Sequence, residues 1–328
     1  MTNAARQRFD EWVRKRPVIL APMEDVTDAV FRRLCRSVGA QVCVTEFVNV
    51  EALVAGIPRA LKKIHLAPDD QPTAIQIYGS NPSTLLEAAR IAQAAGASFI
   101  DINCGCWIPR IAQRGAGAGW LKEPDAMVDM ARQVVNAVSL PVTVKTRIGV
   151  GKERDMPIVD VARRLEDVGV AALALHCRTA LMRHDGAADW SWAARTQAAV
   201  RMPVWVNGDI RTAADVKRAL TETGCAGAMV GRGALSYPWI FREARALLDR
   251  GEVLAPATLK ERVDFCRRQL RANVAERGES NGVQCLRRHL SGYFDALPEG
   301  GRLRKSLNET FTLERSLEVL DRFTQEAA

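Results

Sequence analysis

The sequence predicts an α/β protein of the (β/α)8 TIM-barrel class with a small C-terminal helical domain. Its 328 residues suit a barrel of about 250 residues plus a smaller unit. Short apolar runs alternate with longer amphipathic stretches up to residue 250, and strand-like runs stop after it. We therefore assign residues 1–250 to the barrel and residues 251–328 to the helical domain, joined through residues 251–256.

Eight short runs predict the strands of the barrel. Each is apolar or β-branched almost throughout, as expected for parallel strands buried on both faces. The predicted strands are 18–21, 41–46, 73–78, 98–103, 142–147, 172–176, 204–207 and 226–230. An open doubly wound sheet is the alternative, but it usually has a glycine-rich turn after its first strand. Here the first run leads into Pro22-Met23-Glu24-Asp25, which is not such a turn.

Amphipathic stretches between these runs predict the helices. Thr27 and Asn81 are expected to cap two of them, and several place Pro in the first turn. The predicted barrel helices are 27–38, 82–95, 124–138, 157–168, 190–200, 212–223 and 238–250, with one more between residues 47 and 70. The tail predicts helices 258–277, 282–297 and 303–323, separated by Gly and Pro.

Composition sets limits on the class of protein. Hydrophobic residues make up 48 % of the chain and charged residues 26 %, as in ordinary globular proteins. No apolar run reaches the roughly 18 residues of a membrane span. The polar N-terminus does not resemble a secretory signal, so we expect a cytoplasmic monomer with reduced cysteines. The eight cysteines lack the paired spacing of a zinc site, and we expect no metal.

The net charge of +8 lies mostly in the predicted barrel. Residues 1–250 hold 33 Lys and Arg against 26 Asp and Glu, and residues 251–328 hold 13 against 12. A positive excess favours polyanionic partners such as nucleic acid. Many enzymes with small anionic substrates are basic as well, so charge alone does not decide between the two.

Polar residues stand at the predicted carboxyl ends of the strands, where barrel enzymes place their active sites. Lys145 and Arg147 alternate along one strand and should face the same way. Lys145 either extends to water or faces an anionic ligand or a polarised ring. His176 is either a core histidine or part of the same mouth. The other strand-end candidates are Pro22, Met23, Glu24, Gln76 and Asn103.

Glycine-containing turns follow the last two strands. They are Asn207-Gly208-Asp209 and Gly231-Arg232-Gly233. Barrel phosphate sites are commonly built at this position from glycine N–H groups and a short helix N-terminus. Arg232 would add a charged fork to such a site.

Cys106 differs from the cysteines that we expect to be small buried hydrophobes, which are Cys35, Cys43, Cys225, Cys266 and Cys285. It lies in a glycine-containing loop directly after the fourth strand, and the loop continues through Arg110, Arg114 and residues 115–119. That composition suggests a mobile, basic loop. A thiol with an unperturbed pKa of about 8.5 is mostly protonated at pH 7 and can serve as a general acid.

In this order, the strand-end residues resemble the tRNA-dihydrouridine synthase family. The matching segments are Leu-Ala-Pro-Met-Glu-Asp-Val-Thr-Asp (20–28), Thr-Glu-Phe (45–47), Gln-Ile-Tyr-Gly (76–79), Asp-Ile-Asn-Cys-Gly-Cys (101–106), Val-Lys-Thr-Arg (144–147), Leu-His-Cys-Arg-Thr (175–179), Val-Asn-Gly-Asp-Ile (206–210) and Val-Gly-Arg-Gly (230–233). They cover every predicted barrel strand, and the helical tail is similar to that family's C-terminal domain.

The resemblance implies an FMN enzyme that reduces a uridine in tRNA, with NADPH or NADH as electron donor. Hydride would pass from flavin N5 to C6 of an extruded uracil, and Cys106 would protonate C5. Asn103, Arg147 and Arg178 would hold the base. The resemblance places the following residues around FMN: Pro22, Met23, Glu24, Gln76, Lys145, His176, Asn207, Gly208, Asp209, Gly231 and Arg232.

Two features qualify the resemblance. The family usually has proline after the catalytic cysteine, whereas this chain has Trp107, which could stack on a base or simply pack; Cys104 is the alternative acid. In the tail, basic residues at helical spacing either contact RNA or form a solvated face: Arg267, Arg268, Arg271, Arg287, Arg288 and His289.

Three alternative functions share parts of this pattern. A flavin barrel reductase of a small molecule, of dihydroorotate dehydrogenase or enoate type, would share the fold and the phosphate site. A dihydrouridine synthase could act on rRNA instead of tRNA. A non-catalytic RNA-binding protein could have kept the barrel alone.

Overall fold

The computed structural model describes residues 1–151 and 156–326. Within them, nine parallel strands form one sheet: β1 (Val18–Leu20), β2 (Val42–Val44), β3 (Val48–Asn49), β4 (Thr73–Tyr78), β5 (Phe99–Cys104), β6 (Val142–Arg147), β7 (Ala172–His176), β8 (Val204–Asn207) and β9 (Gly227–Val230). β1 pairs with β2 and β9, and β2 also pairs with β4, so the sheet closes on itself. The short strand β3 pairs with β4 beyond β2. The predicted (β/α)8 barrel is confirmed, and the open-sheet alternative is wrong.

Helices surround the barrel and make up the tail. They are α1 (Asn3–Arg14), α2 (Ala29–Ser37), α3 (Val50–Val54), α4 (Pro58–Ile64), α5 (Pro82–Ala94), α6 (Pro109–Ala112), α7 (Pro124–Ala137), α8 (Ile158–Asp167), α9 (Ser191–Ala199), α10 (Ala213–Thr223), α11 (Arg232–Ser236), α12 (Ile240–Arg250), α13 (Leu259–Arg277), α14 (Glu279–Phe294), α15 (Gly300–Asn308) and α16 (Leu313–Glu326). None of these described helices has the length and apolar character needed to cross a bilayer.

One of the two predicted helix caps is found. The side chain of Asn81 accepts a hydrogen bond from the Ser83 N–H at 3.0 Å and caps α5. The cap of α2 is Asp28, not Thr27. The Thr27 hydroxyl instead accepts the Met23 N–H at 2.9 Å. Because this tight turn already uses the hydroxyl, the helix begins one residue later on a carboxylate cap.

Helix α1 was not among the helices predicted from the sequence. Its apolar face is formed by Ala5, Phe9, Trp12 and Val13, which have the spacing of an amphipathic helix. Phe9 is 1 % exposed, and its ring lies 5.5 Å from Phe99 at the start of β5. The helix therefore closes the amino end of the barrel, opposite the strand ends expected to carry the site.

The barrel interior follows the two-residue period of the strands. On β5, Ile100 and Ile102 point outward into the apolar layer under the helices. Phe99, Asp101 and Asn103 alternate with them and therefore point inward. The interior is apolar near α1 and becomes polar towards the carboxyl ends of the strands, so the polar groups collect at one mouth.

The tail packs around a second apolar cluster, which it shares with barrel residues. Phe265, Leu270, Leu290 and Leu320 belong to it, together with side chains from α2 and with Trp239. The predicted helix 303–323 is in fact two helices, α15 and α16. The chain breaks at Thr310, whose hydroxyl donates to the Leu307 carbonyl at 2.7 Å. Residues 327 and 328 of the predicted helical domain lie outside the described residues.

Candidate active site

A cavity of about 370 Å³ opens at the carboxyl ends of the strands. Most of the residues singled out from the sequence line it: Pro22, Met23, Glu24, Asn103, Cys106, Lys145, Arg147, His176, Asn207, Gly208, Asp209, Gly231 and Arg232. They come from several different strand ends or the turns that follow. Closure of the barrel therefore brings together residues that are far apart in the chain.

Lys145 points inward from β6. Its ammonium group donates to Oδ1 of Asn207 at 3.2 Å, and the Asn207 amide donates to the Met229 carbonyl at 2.8 Å. Burial and the nearby Arg147 lower the pKa of Lys145 to about 8. The charged form of Lys145 is destabilised because its ammonium has lost contact with water. An anionic ligand in the cavity would stabilise that charged form.

His176 stands beside it at the end of β7 and is 9 % exposed. Burial and the cations Lys145, Arg147 and Arg178 lower its pKa well below the usual value, so the ring is neutral at pH 7. Its Nε2 lies 3.3 Å from the Arg178 guanidinium. Because a guanidinium can only donate, Nε2 accepts and the ring proton is on Nδ1.

Cys106 lies in the loop after β5 and is held by backbone contacts. Its N–H donates to Oδ1 of Asn103 at 3.0 Å, and its carbonyl accepts the Ala118 N–H at 2.9 Å. Burial raises the pKa of the thiol above its usual value, so it is protonated at neutral pH. Chemically, the group can donate a proton to a ligand in the cavity.

Two expectations for this loop are wrong. The glycine-rich stretch 115–119 is not a mobile loop, because Gly117–Lys122 forms a buried 3-10 helix packed under Cys106. Alternating small residues allow this close packing. Cys104, the alternative acid, is 0 % exposed and points away from the cavity into the outer apolar layer, because it lies one residue after the inward-facing Asn103.

Arg147 joins two loops across the mouth. Its Nε donates to the Gly105 carbonyl at 2.9 Å, and its Nη1 donates to the carbonyls of Thr179 and Arg183 at 2.8 Å each. Burial lowers its pKa to about 10, which still leaves it charged at pH 7. Arg147 therefore positions the thiol loop and the loop after β7, in addition to lining the cavity.

The loop after β7 contributes residues that the sequence analysis missed. His184 lines the cavity, and its ring lies 5.9 Å from Trp107, nearly perpendicular to it. The Arg183 guanidinium lies 5.0 Å from the centre of the Trp107 ring. Trp107 is therefore packed between loops and also faces the cavity. A histidine a few residues beyond a strand end was the signal available for His184.

The turns after β8 and β9 allow close backbone approach. Gly208 has a φ of +119°, and a Cβ there would lie 2.7 Å from that of Ala188. A Cβ on Gly233 would lie 2.4 Å from the Ile210 carbonyl oxygen. Side chains are thus excluded at both positions. Arg232 and Arg211 line the same edge, and Asp209 pairs with Arg232 at 3.4 Å.

Gln76 and Arg178 are behind the cavity wall and are not among its described lining residues. Gln76 is one interior layer below the mouth, in register with Asp101, and its side chain bonds to Asp101 and Asn103. Arg178 is 2 % exposed and pairs with Asp209 at 2.5 Å. Both side chains therefore support lining residues, and their expected contacts with flavin and base stay predictions.

Glu24 belongs to an acidic group at the edge of the cavity. Oxygen atoms of Glu24, Asp25 and Glu46 lie within 4.8 Å of one another. Lys63 pairs with Glu24 at 2.5 Å, and the Asp25 N–H donates to Glu46 at 2.7 Å. These contacts hold the turn after β1 against α4.

A closed (β/α)8 barrel with these groups at the carboxyl ends of its strands defines a barrel enzyme. The model of the dihydrouridine synthase (Dus) family matches residues 19–328. The chain belongs to the dihydrouridine synthase family.

Curated relatives are similar over nearly the whole chain. A probable tRNA-dihydrouridine synthase of Mycobacterium tuberculosis is 37% identical, over 93% of this chain and 82% of the relative. A tRNA-dihydrouridine synthase B of Xanthomonas axonopodis pv. citri is 36% identical over 92% of this chain and 90% of the relative. The synthase B of Vibrio cholerae serotype O1 is 32% identical over 96% and 97%. Among solved structures, mandelate oxidase with (S)-2-phenylpropionate matches at 20% identity and a TM-score of 0.47, over 71% of this chain and 70% of that one.

Proposed function

We propose that the protein is a flavin-dependent tRNA-dihydrouridine synthase, which reduces the C5–C6 double bond of a uridine in tRNA. The observation that carries the proposal is the shared cavity: the protonated thiol of Cys106, the amine of Lys145 and the glycine-rich turns after β8 and β9 all line it. The three curated relatives described above are tRNA-dihydrouridine synthases by name. The proposed electron donor is NADPH or NADH.

The cavity suits FMN as the bound group. Gly208, Gly231 and Arg232 would hold its phosphate, because glycines allow close approach to the backbone and Arg232 supplies charge. Lys145 and Asn207 would bond the polar edge of the flavin ring, with Pro22 and Met23 beside the ring. When bound and reduced, FMN supplies the hydride that is added to C6 of uracil.

Cys106 would act as the general acid. The proton that C5 receives would come from its thiol, which burial keeps protonated at neutral pH. Asn103 holds the backbone of Cys106 and would also contact the base. Arg147 fixes the loops on both sides of the thiol. These groups, together with Trp107, would keep water away from the reacting atoms.

The tail would contribute to RNA binding, which is the role we propose for residues 251–328. A second cavity, of about 140 Å³, is lined by residues of α2, α4, the end of α13 and the middle of α14, among them Arg59, Lys62, Arg277 and Arg288. It begins at Asp25, next to the acidic edge of the active site. Acidic residues line this cavity too, and Arg277 pairs with Asp28 at 2.6 Å. The exposed cations Arg59 and Lys62 would therefore carry the contact with a phosphate backbone.

The basic residues of the tail differ in how available they are for contact with RNA. Arg271 is exposed, whereas Arg267 pairs with Asp264 at 3.0 Å and also with Asp321. His289 does not face solvent: it is 2 % exposed and packs 4.7 Å from Phe31. Its expected place in a basic RNA-contacting cluster is wrong, because its ring points from α14 into the apolar cluster shared with α2.

The deciding experiment uses purified protein, NADPH and an unmodified tRNA transcript. We expect dihydrouridine in the tRNA, with NADPH oxidation that depends on added RNA. RNA-independent oxidation stimulated by a small enone or by orotate would instead favour the small-molecule reductase, and product in an rRNA fragment alone would favour the rRNA enzyme. A colourless protein that binds RNA without turnover would contradict the proposal.

A further inference from the structure

Asp101 is a carboxylate enclosed within the barrel. It is 0 % exposed and points inward from the middle of β5, one layer below the cavity. It accepts a hydrogen bond from Nε2 of Gln76 at 2.5 Å and another from the Thr143 hydroxyl. Burial raises its pKa to about 6, against the effect of those hydrogen bonds and of Lys145. Both neighbouring side chains donate to its oxygens, which is the arrangement that suits an ionised carboxylate.

An ionised carboxylate can only accept hydrogen bonds. Gln76 must therefore turn its amide nitrogen towards Asp101 and its oxygen away. That oxygen accepts from the Asn103 amide at 2.9 Å. Asn103 then has its own oxygen free to accept the N–H groups of Gly105 at 3.1 Å and Cys106 at 3.0 Å.

Asp101, Gln76 and Asn103 form a hydrogen-bond relay that ends at the Cys106 N–H. The orientation of each amide in the relay depends on the group before it. An amide can be reversed at little cost when its neighbours both donate and accept, but here the charge at one end sets the orientation of both amides. If Asn103 turned over, its NH₂ group would face the N–H groups of Gly105 and Cys106, and the thiol loop would lose its anchor. None of the relay's side-chain atoms is among the described buried atoms without a partner.

We propose that Asp101 is a positioning residue for Cys106, acting through Gln76 and Asn103, whose amide orientations it sets. The proposal rests on the proposed function in that the thiol must meet a carbon atom of the bound base in one geometry. Misplacement by about 1 Å can cost roughly 10²-fold in rate. Asp101 touches neither the cavity nor the base, so its effect is exerted through the loop.

A competing explanation is that Asp101 acts by its charge on Lys145, whose pKa it raises. Two substitutions separate the explanations. Asp101→Asn removes the charge, and with it the constraint that fixes the amide orientations of Gln76 and Asn103. Gln76→Met keeps the charge but cuts the relay between Asp101 and Asn103, with a side chain of similar length. Asp129→Asn, on an exposed carboxylate of α7, is the matched control.

Three measurements test the proposal. The first is the alkylation rate of Cys106 by iodoacetamide in flavin-free protein, read by mass spectrometry. The second is flavin reduction by NADPH without RNA, and the third is single-turnover reduction of tRNA by the reduced enzyme. Relay loss should alter alkylation by about fivefold or more and slow the tRNA step by about 10–100-fold. Asp101 does not line the cavity, so Asp101→Asn should change NADPH reduction by less than about twofold. The double variant should be no slower than the slower single variant.

Wild-type alkylation and a wild-type tRNA step in Gln76→Met would overturn the proposal, and so would a defect confined to Asp101→Asn. If Asp101→Asn does not fold, as judged by circular dichroism, Gln76→Met alone decides, because it leaves the carboxylate and Thr143 in place. Failure of the proposed function is seen separately, as a wild-type protein that makes no dihydrouridine. The alkylation measurement does not depend on that outcome.

Discussion

At the scale of single residues, the thiol of Cys106 is set apart from the other cysteines by its place at the cavity. Cys104 is two positions away yet is buried in the outer apolar layer, because neighbouring strand residues face opposite sides. Sequence position favoured Cys106 but kept Cys104 as the alternative, because Trp107 replaces the usual proline. The inward direction of Asn103, and the loop it anchors, support Cys106.

We predict that Cys106→Ala keeps bound flavin and RNA affinity but slows single-turnover reduction of tRNA by about 10²–10⁴-fold, the usual worth of a general acid. Quenched-flow sampling with detection of dihydrouridine measures the rate. Cys104→Ala is the matched control and should retain the wild-type rate with some loss of stability. Near-normal turnover by Cys106→Ala would refute the assignment of the acid.

The second residue-scale prediction concerns pH. Lys145 has a pKa of about 8 in the unliganded protein, so its ammonium is present below pH 8 and is lost above it. A flavin ring edge that accepts a hydrogen bond from the ammonium raises that pKa, and the affinity for the flavin must therefore fall as pH rises above 8. For flavin-free protein titrated with FMN, we expect full affinity at pH 7 and roughly 10–100-fold weaker binding once the amine is neutral, the worth of a hydrogen bond to a charged group.

Lys145→Met is the control for this titration. It should bind FMN weakly at pH 7 and lose the decline between about pH 7.5 and 9.5, because no ammonium is left to titrate. Fluorescence quenching of FMN gives both affinities. An unchanged slope in Lys145→Met would assign the pH dependence to another group.

At the scale of elements, the tail is held on the barrel by a close contact between α14 and α11. A Cβ on Gly292 would lie 2.4 Å from the Leu235 carbonyl oxygen and 2.7 Å from Ser236 Cα. α11 begins at Arg232, so this contact also supports the cationic edge of the cavity. From the sequence, Gly292 was only a glycine within a predicted helix. Its role in close packing became visible with the backbone of α11 beside it.

We predict that Gly292→Ala lowers the free energy of unfolding by about 1–3 kcal/mol, because the backbones must move apart. Gly301→Ala is the matched control. A Cβ added to Gly301 on α15 would meet no atom within 4 Å, so this substitution should be neutral or stabilise the protein by up to about 1 kcal/mol. Urea unfolding followed by circular dichroism compares the two, and equal effects would show that α14 and α11 do not pack this tightly.

At the scale of the whole molecule, the two ends of the barrel differ in character. α1 closes the amino end with Phe9, whereas the carboxyl end carries the cavity and the cations of the second cavity. RNA binding should therefore depend on charges at one end. Two arginines at opposite ends allow a comparison. Arg59 is on α4, between the cavity and the tail, whereas Arg6 is on α1, where it pairs with Asp10 at 2.9 Å.

We predict that Arg59→Gln weakens tRNA binding and reduces the slope of log affinity against log salt by about 1, as expected for one lost phosphate contact. Arg6→Gln should leave both the affinity and the slope unchanged. Filter binding at several salt concentrations measures the slope. A larger effect from Arg6 would place the RNA at the opposite end of the molecule.

By itself, the sequence determined the barrel, its strands and most of the cavity lining, because buried parallel strands have short apolar runs and barrel sites follow their carboxyl ends. It did not reveal α1, the break between α15 and α16, or the contribution of His184. Tertiary structure alone decided that Gln76 and Arg178 bond to residues of the cavity wall and that His289 is in the core. It also supplied the contacts from which we propose that Asp101 positions the thiol loop. The physical reason is that strand spacing tells which residues share a face, whereas their depth in the barrel and their hydrogen-bond partners arise only when the strands close.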